Sequence, residues 1–177
     1  MGRTGFTLIK MVIVVLLLAA LATIASTKLI RLNQDSKIAT LNAIAGSMRE
    51  GMGLVHLKAA IEDKLEGDHT LHFNGVELAI HNGYPDAKAR NGFAEINAQL
   101  KAWVDIDVID RNTIRDADGD VPQPFFSDRA RALGRIYVFF SDDWHQKSAS
   151  FECQVRYIND PNNTGEAPSV VTFTEQC

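Results

Sequence analysis

The chain has 177 residues and a net charge of -4, with 18 basic and 22 acidic residues interspersed along it. This balance excludes a field of one sign that would attract nucleic acid, so no nucleic-acid partner is predicted. Apart from the N-terminal segment, about 120 residues remain, enough for one soluble domain with a single modest core.

A strongly apolar segment follows a short polar tip at the N-terminus. Only three of its residues from Phe6 to Ala25 are not apolar, namely Thr7, Lys10 and Thr23. A helix of about 20 residues is about 30 Å long and could span a bilayer core. Apolar residues continue at helical spacing as far as Ala59, so the sequence predicts one long helix over about 6–60, which glycines would weaken in its second half.

Two conventional explanations of the apolar segment compete with a more specific one. In a signal peptide, Arg3 and Lys10 would form the positive region, Met11 to Ala19 the apolar region, and Ala20-Leu21-Ala22 the cleavage site. Cleavage there would leave the following helix without its anchor. A plain single-pass anchor is the other competitor, and the charges on its two sides do not settle its orientation.

The junction Gly5-Phe6-Thr7-Leu8-Ile9-Lys10 resembles the processing and assembly signal of type IV pilins. The resemblance implies a leader peptide over 1–5, cleavage by a prepilin peptidase after Gly5, and N-methylation of Phe6. It also implies that 6–25 spans the inner membrane with a cytoplasmic N-terminus before assembly and lies in the filament core afterwards. Residues 26–177 would then be the periplasmic, later extracellular, head with the second half of the helix.

Lys10 departs from this pattern, because the fifth mature position of the family is almost always glutamate. That glutamate is thought to be neutralised by the amino terminus of a neighbouring subunit, which registers a new subunit in the filament. An ammonium at Lys10 would repel the amine of Phe6, and burying it without a partner would cost several kcal/mol. A lysine near the membrane interface is tolerated. We therefore expect Lys10 to be accepted while the subunit is in the membrane and to be unfavourable once the subunit is in the filament.

The head begins after Ile61 with a polar loop. The pair Asn74-Gly75 between two alternating segments predicts a two-residue β-hairpin over Leu71 to Ile80. Apolar residues at helical spacing predict a helix within Ala89 to Trp103, with Trp103 in the core. Three later runs are β-prone and are separated by polar turns: Arg135–Phe140, Phe151–Tyr157 and Ser169–Thr174.

The two cysteines, Cys153 and Cys177, close a loop of about 25 residues, which suits a disulfide better than a metal site with three or four ligands. A disulfide indicates an oxidising compartment and places this part of the chain outside the cytoplasm. The sequence therefore predicts an α+β pilin fold, with the long helix packed on a C-terminal antiparallel sheet and an αβ-loop between them.

Three head segments resemble one subgroup, the mannose-sensitive haemagglutinin-type pilins of Gram-negative bacteria: Val55–Ile61, Asn82–Pro85 and Cys153–Tyr157. This resemblance implies a surface filament used in attachment and biofilm formation. Its partners would be itself or other pilins in a helical filament, the prepilin peptidase and the inner-membrane assembly platform. The alternatives are a type II secretion pseudopilin, which usually lacks this disulfide, and a periplasmic binding domain with a signal peptide.

No constellation in the sequence predicts catalysis or a cofactor. Asp116, Asp118 and Asp120 alternate as in a calcium loop. Counted from Asp116, the glycine is the fourth residue and Ser127 the twelfth, whereas an EF-hand loop has glycine at its sixth position and glutamate at its twelfth. The favoured interpretation of this segment is an exposed acidic turn, and calcium binding is the weaker one. The sequence predicts no other metal site. Phe125-Phe126 and Trp144 are candidates for an interface, because large apolar groups on loops usually need a cover.

Overall fold

The computed structural model describes residues 4–89, 91–160 and 166–177, without the side chains of residues 4–7, 23–27, 29 and 30. The chain divides into two compact units, Met1–Ile38 and Ala39–Cys177. Helix α1 (Thr4–Ile61) contributes to both, so the predicted long helix over about 6–60 is confirmed. The protein is an α+β protein.

The second unit adds two sheets, two further α-helices and two short 3-10 helices within the described residues. The elements that follow α1 are, in chain order, β1 (Asp68–Phe73), β2 (Val76–His81), β3 (Tyr84–Pro85), α2 (Phe93–Trp103), β4 (Val108–Asp110), α3 (Arg111–Asp116), β5 (Phe125–Ala130), a 3-10 helix (Arg131–Leu133), β6 (Arg135–Phe140), a second 3-10 helix (Ser141–Gln146), β7 (Gln154–Ile158) and β8 (Ser169–Phe173).

The larger sheet has five strands in the order β4-β5-β6-β7-β8. Its three pairings from β5 to β8 are antiparallel, as predicted, but β4 pairs with β5 in parallel. The sheet is therefore mixed. The parallel pairing follows from α3, which carries the chain back so that β5 runs in the same direction as β4, as a crossover connection requires.

The predicted hairpin is confirmed in its position and in its turn. Phe73 pairs with Val76, and the two residues between them have positive φ angles, 47° at Asn74 and 80° at Gly75. Positive φ at both central positions defines the turn that matches the twist of the flanking strands, and asparagine followed by glycine is the pair that adopts it most readily.

One hydrophobic core joins the second half of α1 to the five-stranded sheet and to α2. Arg49 on α1 donates a hydrogen bond to the Val170 carbonyl of β8 at 2.9 Å. Trp103, predicted as a core residue, is only 5% exposed, and its ring lies 5.2 Å from that of Tyr157. The fully buried members of this core include Leu41, Ala45, Met48, Val55, Ala59, Leu100, Val138, Val155 and Tyr157.

Gly51 lies where α1 passes closest to the end of α2. A Cβ atom at this position would stand 1.7 Å from the carbonyl oxygen of Trp103, a separation that no packed atoms reach. The sequence indicates only that Gly51 weakens the helix. In the fold its missing side chain lets two backbones approach, whereas Gly46 and Gly53 have open space around them.

The two sheets are tied together by a buried polar contact. The Tyr157 hydroxyl donates to the Pro85 carbonyl at 2.7 Å, and the Asn159 amide donates to the same oxygen at 3.0 Å. Burial raises the pKa of Tyr157 well above its ordinary value, so the hydroxyl stays protonated and remains a donor.

Candidate functional site

The predicted disulfide between Cys153 and Cys177 is confirmed, with 4.9 Å between the two Cα atoms. Cys153 is fully buried, just before β7, and the C-terminal segment also pairs with the chain there. The Gln176 amide donates to the Glu152 carbonyl at 3.0 Å, and the Glu152 amide donates to the Gln176 side chain at 2.8 Å. The disulfide therefore links the segment that follows β8 to the start of β7. Residues 161–165 of the connection between these two strands lie outside the described residues.

The first unit presents large apolar side chains on every side of α1. Eleven of them between Leu8 and Leu21 are 51% to 73% exposed within the single chain. A helix that is apolar all round needs a cover, since exposure of so much apolar surface to water is unfavourable. Over the part of the chain that the structure describes, none of the helices has an apolar stretch sufficient to reach across a membrane.

The predicted processing residues are only partly described. Residues 1–3 of the predicted leader lie outside the described residues, and so do the side chains of Gly5 and Phe6, whose backbone belongs to α1. Cleavage after Gly5 and methylation of Phe6 therefore stay predictions. Lys10 is described, and its side chain is exposed on α1 just ahead of the apolar stretch.

The three alternating aspartates form a turn at the end of α3. Asp116 pairs with Arg115 at 3.0 Å, Asp118 has a φ angle of 48°, and Asp120 is exposed. Among the described residues, no group of three or more potential ligands from histidine, cysteine, aspartate or glutamate is placed to hold a metal ion. The turn instead packs against Trp144, since a Cβ atom at Gly119 would lie 3.2 Å from that ring.

The prediction that Phe125-Phe126 lies on a loop is wrong. Both residues belong to β5, and Phe126 is fully buried, with its ring 5.2 Å from Phe139 and 5.4 Å from Trp144. Trp144 covers Phe126 from the second 3-10 helix and is itself only partly exposed. These aromatic groups therefore cover one another within the domain. The strand escapes sequence analysis because Phe125-Phe126 is followed only by polar residues and alanine, without alternation.

A cleft with a volume of about 690 Å³ lies between the β1–β2 hairpin and the segments that follow β3 and β5. His81 meets the Asp68 carboxylate at 2.6 Å, and Asp86 accepts from the Lys88 amide at 2.6 Å. Arg131 donates to the Lys88 carbonyl at 2.9 Å. Burial, with a smaller contribution from the charge of Asp68, raises the pKa of Asp86.

The His81–Asp68 contact joins the two strands of the hairpin to each other, and the Arg131–Lys88 contact joins the segment after β5 to the segment after β3. Sequence reasoning missed this cleft, because its lining comes from three segments whose proximity depends on the folded sheet.

Comparisons of the chain with models of protein families, with curated proteins and with solved structures find no match. The function is therefore inferred from the chain's own residues and geometry.

Proposed function

We propose that the protein is a structural, non-catalytic subunit of a type IV pilus that serves surface attachment and biofilm formation. In this proposal α1 packs with other copies, or with other pilins, in a helical filament. The disulfide-closed domain forms the outer surface, and its fold is the pilin fold. The observation that carries the proposal is the all-round apolar surface of α1 between Leu8 and Leu21.

That surface favours assembly on energetic grounds. Full burial of one large apolar side chain is worth about 1.5 to 3 kcal/mol, and each of the eleven exposed residues retains more than half of its surface. Apolar groups on all sides of one helix require neighbours on all sides, either lipid or other helices. A pilin uses both in turn, the inner membrane before assembly and the filament core afterwards.

The confirmed disulfide supports export of the C-terminal part of the chain, because such bonds persist in oxidising compartments. It also favours a pilus over a type II secretion pseudopilin, whose major subunits usually lack this bond. The resemblance of the Gly5-Phe6 junction to the prepilin signal adds the processing step, in which the prepilin peptidase and the inner-membrane assembly platform are the partners.

The mature N-terminus tests this proposal directly. Mass spectrometry of the protein recovered from cells is expected to find N-methylated Phe6 as the first residue. A first residue of Thr23 would contradict the proposal and indicate a cleaved signal peptide. An intact Met1 in the surface-exposed fraction would contradict it as well and indicate a simple anchor.

Two matched variants separate the cleavage sites. Gly5→Leu is expected to accumulate as precursor, because the resemblance implies cleavage after this glycine. Ala22→Leu removes the small residue that a signal peptidase needs and is expected to be processed normally. The reverse pattern would contradict the pilin proposal.

A further inference from the structure

The sequence contains three Asn-Gly pairs, which begin at Asn74, Asn82 and Asn91. An asparagine followed by glycine readily loses its side-chain amide, because the glycine backbone nitrogen can attack the side-chain carbonyl carbon without hindrance from a neighbouring Cβ atom. The reaction requires that the carboxamide and the glycine nitrogen be free to approach each other. The three pairs therefore share one reactivity and differ in how firmly the fold restrains them.

The first two pairs are restrained. Each forms a turn between paired strands, with positive φ angles at both of its residues. The Asn74 side-chain amide donates to the Ala102 carbonyl at 2.8 Å. The Asn82 side-chain oxygen accepts from the Gly67 amide at 2.8 Å, and its side-chain nitrogen lies 3.2 Å from His81 Nε2. Attack by either glycine nitrogen would require these contacts to break and the turn to open.

The third pair lies where α2 begins. Asn91 is partly exposed in the lining of the cleft beside the β1–β2 hairpin, and no described residue forms a hydrogen bond with its side chain. Gly92 is the N-cap of α2, and its N–H has no partner among the described residues either. Apart from the adjoining residues, no atom lies within 4 Å of a Cβ built at Gly92. The pair therefore has both space for ring closure and access to water.

Arg129 binds the same peptide group. Its guanidinium donates to the carbonyl oxygen of Asn91 and, at 2.9 Å, to that of Ala89. It also lies 5.6 Å from the centroid of the Phe93 ring, a contact that helps to hold it in place. A guanidinium is charged at neutral pH, so at this carbonyl it withdraws electron density from the Gly92 nitrogen across the conjugated peptide bond. The negative charge that develops when this nitrogen loses its proton is thereby stabilised.

We propose that Asn91 deamidates spontaneously in the folded protein, with the Gly92 nitrogen as the nucleophile and Arg129 as the group that activates it. The nitrogen loses its proton and bonds to the side-chain carbonyl carbon. The carboxamide nitrogen takes up a proton and leaves as ammonia. Water then opens the resulting succinimide ring at either carbonyl, which yields aspartate or isoaspartate. The reaction is independent of the function proposed above.

Deamidation places a new negative charge at a defined point of the fold. Position 91 immediately precedes the N-cap of α2, where a negative charge is favourable because the N-terminal end of a helix is positive. Aspartate leaves the main chain unchanged, whereas isoaspartate lengthens it by one methylene group just before the helix. The protein therefore acquires with age a charged form that differs from the newly made one at the start of α2.

Mass spectrometry of peptides from the full chain, incubated in detergent micelles at mildly alkaline pH, follows all three pairs in one sample. Asn91 is expected to deamidate about tenfold faster than Asn74 or Asn82, since hydrogen bonds must break at those two before attack. In denaturant, with the disulfide intact, the three rates are expected to converge. Equal rates in the folded protein, or an unchanged ratio of rates in denaturant, would overturn the proposal. Aspartate as the sole product would indicate direct hydrolysis and exclude the Gly92 nitrogen as the nucleophile.

Gly92→Ala tests the nucleophile. The φ angle of Gly92 is -69°, which alanine adopts readily, and the added Cβ meets open space, so the variant is expected to fold. The methyl group crowds ring closure and is expected to slow deamidation of Asn91 by about tenfold. Asn74 and Asn82 serve as internal references whose rates stay the same. An unchanged rate at Asn91 would overturn the assignment of the nucleophile.

Arg129→Gln tests the activation. It removes the cation at the Asn91 carbonyl and is expected to slow deamidation by about tenfold, as loss of one charged hydrogen bond implies. Arg131→Gln is the matched control, because Arg131 lines the same cleft but donates to the Lys88 carbonyl at 2.9 Å. Base-catalysed hydrogen exchange of the Gly92 amide, measured by NMR, is expected to slow only in Arg129→Gln, since this exchange depends on the acidity of the N–H. Equal effects of the two variants, or faster deamidation in Arg129→Gln, would overturn the activating role.

Discussion

Replacing Gly51 by alanine tests the closest contact in the core of the second unit. The added Cβ would lie 1.7 Å from the carbonyl oxygen and 2.9 Å from the carbonyl carbon of Trp103, where ordinary contacts begin near 3.4 Å. The obstacle is backbone at the last residue of α2, so a rotamer change cannot relieve it. Either α1 or the end of α2 must move, and Trp103 with its contact to Tyr157 moves as well.

Two opposing contributions set the size of the effect. Overpacking of a well-packed core costs about 1 to 3 kcal/mol, and a clash with backbone belongs at the upper end of that range. Alanine in a helix interior is favoured over glycine by about 1 kcal/mol. Gly51→Ala is therefore expected to destabilise the protein by about 2 kcal/mol. For a chain of this length, that lowers the melting temperature by about 4 to 8 °C.

Thermal unfolding followed by circular dichroism measures this change, with Gly46→Ala and Gly53→Ala as matched controls in the same helix. Neither control position has an atom within 4 Å of the added Cβ, so only the gain in helix propensity applies. Each control is expected to raise the melting temperature by about 2 to 4 °C. If Gly51→Ala raised it by the same amount, the close approach of α1 and α2 would be refuted.

The other predictions concern the disulfide, a half-buried carboxylate and the assembly residue. Replacing Cys153 and Cys177 by serine is expected to lower the free energy of unfolding by about 3 kcal/mol, measured in guanidinium chloride; no change would show that the bond does not restrain the unfolded chain. The pKa of Asp86 is raised above its ordinary value of 3.8 chiefly by burial, so the folded state holds this proton more tightly and stability falls as pH rises through the raised pKa. The variant Asp86→Asn keeps the acceptor for the Lys88 amide. Its melting temperature is expected to exceed that of the unmodified protein at neutral pH and to equal it below pH 3.8. A difference in melting temperature that stays constant across this range would contradict the raised pKa of Asp86. Lys10→Glu is expected to raise the amount of subunit in sheared filaments. Equal amounts of both forms would contradict the inference that the charge at position 10 registers the subunit in the filament.

Elements with strong local signals could be predicted from the sequence. The β-prone run Arg135–Phe140 has the same bounds as β6, and the Asn74-Gly75 pair forms the predicted turn. The disulfide follows from the presence of only two cysteines at a suitable spacing. For the strand and the turn, a few neighbouring residues carry the whole preference, so tertiary contacts do not need to override it.

The segment between α2 and β6 could not be predicted in the same way. β4 has three residues and β5 has two apolar residues at its start, so neither shows alternation, and their pairing depends on the crossover through α3. One local signal was present: Asp110 caps α3 by accepting hydrogen bonds from the Asn112 and Thr113 amides. The cleft beside the β1–β2 hairpin also escapes prediction, since its lining joins segments that are distant in the chain.

The spacing of apolar residues distinguishes the two halves of α1 more sharply than their composition does. In the second half the buried residues recur every three or four positions, as at Leu41, Ala45 and Met48, and the remaining positions mix polar residues with exposed leucines. Such a stripe is satisfied by one neighbour, here the domain core. From Met11 to Leu21 every position is apolar, so one neighbour cannot cover the helix. The first pattern stabilises the fold of one chain, and the second favours an environment that surrounds the helix, which is the requirement that a filament core or a bilayer meets.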